Sequence, residues 1–196
     1  MKKLLKISAL IAAMALSCAF FGCSNGNSSD DNNSNSGGST TSSFDDCTNT
    51  ATEVSLTDGT WTVKAVQNGH GLSSEMNIKA SVSNGDYTFT SGTAIGTFDL
   101  ATQVNENELA NKTDEEKKEL LKANSSFPDD ATITINGTLA TVTYTLNADR
   151  LAAIQSNMDL QELPNNATVK TNSDNTKYII SYTKDEIINT IYTSKD

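Results

Sequence analysis

Histidine occurs once, at His70 in Asn68-Gly69-His70-Gly71, so no pair of imidazoles can hold a zinc ion. The three cysteines, Cys18, Cys23 and Cys47, lack the short paired spacing of metal or redox motifs. Neither a Gly-X-Ser-X-Gly elbow nor a phosphate-cradling glycine loop is present. His70 would act as a general base only beside a nucleophile delivered by folding, and between glycines it reads as an exposed turn residue. The sequence therefore predicts no catalytic set, no metal and no cofactor. Positive charge is scarce too: 14 Lys and Arg face 24 Asp and Glu, for a net charge of −10. A chain so acidic is repelled by phosphate backbones, which argues against nucleic acid as a partner. Glu106, Glu108, Glu115, Glu116 and Glu119 lack the twelve-residue loop pattern of a calcium site and read as a solvated helix face. The only prolines, Pro128 and Pro164, both punctuate gaps between periodic segments.

A long hydrophobic run is present only at the start. Met1-Lys2-Lys3-Leu4-Leu5-Lys6 is basic, and the apolar stretch from Ile7 to Phe21 is broken only by Ser8, Ser17 and Cys18. That is the layout of a secretory signal peptide. The run falls short of the roughly 20 residues that cross a bilayer, and no stop-transfer charge follows it.

The stretch Phe20-Phe21-Gly22-Cys23-Ser24-Asn25 resembles the end of a bacterial lipoprotein signal, where a small residue precedes the cysteine that is lipidated. The resemblance implies removal of residues 1–22, a diacylglyceryl group on Cys23, often a third chain on its amine, and a partner in the lipid bilayer. Cys18 is the rival position, but Ala19-Phe20-Phe21 would then open the mature chain. Each buried methylene contributes roughly 0.8 kcal/mol, so two or more acyl chains anchor firmly. Ser24, where an Asp would signal retention on the inner membrane, points to the outer membrane of the cell envelope. The alternative is a plain signal peptide and a secreted protein. Loss of residues 1–22 takes three lysines and no acid, and so leaves 174 residues at a net charge of −13.

Residues 23–52 are built from Ser, Asn, Asp, Gly and Thr, with Phe44 the one large apolar side chain, and they predict a disordered tether. A flexible chain of that length spans roughly 30 Å. Cys47 then remains as a lone thiol in the tether. Residues 53–196 predict one β-rich domain with a core of its own.

Within that domain Trp61, Val63 and Ala65 alternate with polar residues before Asn68-Gly69, which reads as a turn. Met76, Ile78, Ala80 and Val82 lead to Asn84-Gly85 and then to Tyr87 and Phe89, a hairpin with a type I′ turn. Residues 94–100 predict a further strand and 105–124 a helix, firmest from the capping box Thr113-Asp114-Glu115-Glu116. Ile133 and Ile135 pair with Ala140, Val142, Tyr144 and Leu146 about Asn136-Gly137. Asn147 caps a helix with Leu151, Ile154 and Met158, ended before Pro164. Ala167 and Val169 face Tyr178, Ile180 and Tyr182 across the turn Asn172-Ser173-Asp174-Asn175. A second capping box, Thr183-Lys184-Asp185-Glu186, predicts a closing helix bearing Ile187, Ile188 and Ile191. The fold class is thus α+β and β-rich, an antiparallel sheet or open barrel of three hairpins with short helices, in which strand, turn, strand and helix recur three times.

Leu56-Thr57-Asp58-Gly59-Thr60-Trp61 resembles the Gly-X-Trp start of lipocalin-like domains, and Gly92-Thr93-Ala94-Ile95-Gly96-Thr97-Phe98 has a similar texture. The resemblance implies a β-barrel with the tryptophan plugging one end. The candidate ligand-binding residues are then Trp61, Tyr87, Phe89, Phe98 and Tyr144, with Tyr178 and Tyr182 beside them; all are first of all core candidates, and they line a cavity if the sheet closes around one. The expected function is a membrane-anchored binding module for a small apolar ligand. The alternative is a surface or coat protein that contacts a host or envelope partner.

Overall fold

Alternation of apolar and polar side chains organises the residues that the computed structural model describes, namely 44–69, 72–102, 109–124, 127–158 and 164–196. Among them nine strands form one open antiparallel sheet: β1 (Asn49–Ala51), β2 (Gly59–Gly69), β3 (Leu72–Ser83), β4 (Asp86–Asp99), β5 (Thr132–Asn136), β6 (Leu139–Thr145), β7 (Thr168–Thr171), β8 (Lys177–Lys184) and β9 (Ile187–Lys195). Two helices, α1 (Asp114–Asn124) and α2 (Ala148–Met158), and a 3-10 turn over Leu100–Thr102 join them. No helix among the described residues is long and apolar enough to cross a membrane. The strand order is β1-β7-β8-β9-β2-β3-β4-β6-β5, with β1 and β5 at the edges. The fold is β-rich and antiparallel with short helices, as the sequence predicts.

Register puts one side chain from each of seven strands into a single buried row: Val169, Ile180, Ile191, Ala65, Met76, Ala94 and Tyr144. Because side chains alternate with period two, this row and its neighbours place nearly all the apolar positions on one face. Each large apolar side chain so buried contributes about 1.5–3 kcal/mol. Trp61, fully buried at 0% exposure, sits on the same face, and its indole N–H donates to the Thr57 carbonyl at 2.8 Å.

Local chemistry fixes the turns. Asn84 and Gly85 both have positive φ, 53° and 82°, and join Ser83 to its partner Asp86 as a type I′ turn. In the β5–β6 hairpin, Asn136 pairs with Leu139, so the two-residue loop is Gly137-Thr138, one residue later than expected. Between β7 and β8 the Asn172 side chain organises the loop, its Oδ1 accepting from the Thr176 and Lys177 amides at 2.9 and 3.1 Å. The Thr113 capping box forms: the Glu116 amide donates to Thr113 Oγ1 at 3.3 Å, and the Thr113 amide donates to Glu116 Oε2 at 2.7 Å.

Several expectations are corrected. The closing helix is strand β9: Asp185 and Glu186 adopt φ of 51° and 64° as a tight turn, and Asn189, Ile191 and Thr193 bury with period two. The β-branched run that suits a helix spacing of three or four suits a strand better when ladders are available on both sides, from β8 and from β2. The threefold recurrence of strand, turn, strand and helix therefore stops at two. The return strand from Tyr87 and the strand at 94–100 are one continuous element, β4, bent by a bulge. Asn68-Gly69, read as a turn, is instead the end of β2, with Gly69 paired to Leu72; His70 and Gly71 lie outside the described residues. Only the end of the helix predicted over 105–124 matches α1: residues 111–113 interrupt it, and Glu106 and Glu108 lie outside the described residues.

The folded unit also reaches back beyond 53. β1 pairs with β7, Phe44 packs on Tyr192 with ring centroids 5.2 Å apart, and Lys177 bonds Asp46 at 3.1 Å. The one large apolar side chain of the supposed tether thus finds an aromatic partner on the opposite face of the sheet. Cys47, placed in the tether by sequence, is buried at 5% exposure; burial first, and Asp46 second, push its thiol pKa up.

Candidate functional site

The bulge in β4 creates the site. Lys79 pairs with Ser91 and Ala80 with Phe89, which leaves Thr90 as the extra residue. Strand β6 pairs with β4 only over Thr93–Asp99, and one further bond, from the Leu146 amide to the Gly92 carbonyl at 2.9 Å, closes the ladder. The half of β4 before Gly92 would therefore show a bare edge.

Helix α2 covers that edge. Asn147 starts it, with its Oδ1 accepting from the Arg150 amide at 3.0 Å and its carbonyl from the Leu151 amide at 2.9 Å. Leu151 and Ile154 turn into the core. One turn on, the Gln155 side chain takes the place of a strand: its Oε1 accepts from the Phe89 amide at 3.2 Å, and its Nε2 donates to the Tyr87 carbonyl at 2.8 Å.

Between β3, β4 and α2 runs a groove of about 710 Å³, within the usual range for small-molecule sites. Its inner end is apolar, with Leu146, Ala148, Leu151 and Ala152. Its outer end lies on β2 and β3, where Thr62 and Lys79 stand opposite each other in register. No acidic side chain lines it. At the outer end Lys79 Nζ donates to Thr62 Oγ1 and to Asp196 Oδ2, both at 2.6 Å, and the Thr62 hydroxyl donates to Asp196 Oδ1 at 2.6 Å. The Lys79 hydrogen bond, and then that from Thr62, hold the Asp196 carboxyl below the usual carboxylate range.

Of the candidate residues read from sequence, Phe89 lines this groove and Tyr87 stands beside it, their rings 5.4 Å apart. Trp61, Phe98 and Tyr144 belong to the core. The Trp61 ring lies 6.3 Å from Tyr178, Phe98 meets Phe127 edge-on at 6.0 Å, and the Arg150 guanidinium sits 5.5 Å from the Tyr144 ring centroid. Tyr178 donates to the Ser55 carbonyl at 3.0 Å, and Tyr182 is buried. Cys23 lies outside the described residues. Among the described residues no three His, Cys, Asp or Glu side chains gather as a metal site.

Sequence reasoning missed Thr62, Lys79, Leu146 and Gln155. The Asn147 cap was the available signal, since a cap starting just after a strand places a helix over that strand's neighbour. No protein-family model, no curated protein and no solved structure matches this chain.

Proposed function

We propose that the chain is a bacterial lipoprotein, exported and held in the cell envelope by acyl groups on Cys23, whose domain binds a small and largely apolar ligand in the groove beside α2. The observation that supports binding is the groove itself: a volume of about 710 Å³ with an apolar inner end and a hydroxyl-lined rim. Binding rather than transformation is favoured because the lining holds no histidine, cysteine or carboxylate. Of its hydroxyls, those of Thr88, Thr90, Ser91, Thr93 and Thr145 have no carboxylate or imidazole in that lining to act as general base, and that of Thr62 is held by Asp196 and Lys79.

The lipocalin-like reading is the finer version of this proposal. Its support is Trp61, buried near the start of the first long strand, with an indole that bonds back to the preceding loop. The separate edges β1 and β5 stand against a closed barrel. The alternative function, a surface protein that docks on a host or envelope partner, calls for a contiguous apolar patch. Leu139 and Ile188, the large apolar side chains exposed among the described residues, lie on β6 and β9 with three strands between them, which favours the groove.

Two measurements test the proposal. Intact mass spectrometry of the protein from its native membrane should give a chain that begins at Cys23 with added acyl mass, lost in Cys23→Ala; an unmodified chain would make it a secreted protein. Fluorescence titration of the exported Cys23→Ala chain with 1-anilinonaphthalene-8-sulfonate should show saturable binding that Ala152→Trp blocks, since this exposed position on α2 lines the groove. Equal binding by both chains would remove the groove from the argument.

A further inference from the structure

We infer that the groove takes an amphiphile ending in a carboxylate, with its tail against α2 and its head on Lys79 and Thr62, where the side chain of Asp196 now lies. The inference rests on the groove being a binding site and adds the chemistry of what it binds.

Polarity along the groove is graded. The apolar side chains Leu146, Leu151 and Ala152 stand at the α2 end, while Lys79 stands two strand spacings away on β3 and Thr62 one further on β2. Adjacent strands are about 4.8 Å apart, so head and tail positions are separated by roughly 10 Å, the reach of a short alkyl chain. The one cation of the lining, Lys79, is compensated by Asp196, so an anionic head enters by exchange with that side chain.

The Asp196 carboxylate shows what the outer end accepts. One of its oxygens receives the Lys79 ammonium and the other the Thr62 hydroxyl, each at 2.6 Å, while Lys79 also donates to Thr62. This fork suits a planar two-oxygen anion. Both partners are partly exposed, at 46% and 36%, and such exposed pairs are weak enough for a ligand carboxylate to replace the internal one. Asp196 would stay attached through its amide, which donates to the Thr60 carbonyl at 2.9 Å.

The test titrates the full Cys23→Ala chain with octanoate and with 1-octanol, followed by backbone amide shifts. Octanoate should bind about fivefold tighter than octanol. Lys79→Gln should erase that preference without weakening octanol. Asp196→Asn, which neutralises the internal competitor, should tighten octanoate by several-fold and leave octanol unchanged. Equal affinity for the two probes, or an Asp196→Asn chain with unaltered octanoate affinity, would overturn the assignment of the head group while leaving an apolar groove in place. If neither probe shifts the groove residues, the groove reading falls with it.

Discussion

Leu146 closes over Gly92 from the end of β6. Its amide donates to the Gly92 carbonyl at 2.9 Å, and a Cβ built on Gly92 would meet Leu146 Cδ1 at 2.8 Å and the Asn77 carbonyl oxygen at 2.9 Å. The glycine therefore lets two layers touch at the floor of the groove. Gly92→Ala should destabilise the fold by about 1–3 kcal/mol, because backbone as well as side chain must shift. Denaturant unfolding checks this, and an unchanged midpoint would contradict the close contact.

Thr193 is 1% exposed on β9, between Val63 and Tyr178, and its hydroxyl makes no hydrogen bond among the described residues. An unpaired buried hydroxyl is a net cost. Thr193→Val, of nearly the same shape, should raise stability by about 1 kcal/mol in thermal or denaturant unfolding. A loss of stability would mean that the hydroxyl has a partner such as an internal water.

Glu186 holds φ at 64° in the β8–β9 turn, where a side chain is disfavoured. Glu186→Gly should stabilise by up to about 1 kcal/mol. Were residues 183–191 a helix, the same change would place a glycine in its first turn and destabilise it, so the sign of the effect separates the two structures.

That turn also marks where the sequence misleads. The strand positions, the Asn84-Gly85 turn, the Thr113 cap and the Asn147 cap were legible because each depends on residues within a few positions of one another. The β9 strand was not, because its conformation is decided by β2, and Ala65 and Ile191 are brought together only by folding. The site was even less legible. Gln155 reaches Tyr87 across 68 residues and Lys79 reaches Asp196 across 117, and no local pattern announces either. The aromatic residues singled out from sequence were mostly core, as Trp61, Phe98 and Tyr144 show. Aromatic character identifies burial more readily than it identifies a ligand.

Burial raises the pKa of the Tyr144, Tyr178 and Tyr182 hydroxyls above that of a free tyrosine, with Arg150 opposing the shift at Tyr144 and the Ser55 bond opposing it at Tyr178. A folded pKa above the unfolded one gives stability that is complete below the unfolded value, about 10, and is lost as pH rises through the folded values. Absorbance at 295 nm should therefore show these three of the five tyrosines ionising late, together with loss of the strand signal in circular dichroism. Ionisation of all five near pH 10 with the sheet intact would contradict their burial.

The most direct test of the account is to follow backbone amide shifts of the exported Cys23→Ala chain as octanoate is added, and to repeat the titration with Ala152→Trp. The account predicts saturable shifts centred on Lys79, on 89–93 and on 146–155, all suppressed by the tryptophan. Shifts that are absent, or that gather on strands remote from α2, would contradict it.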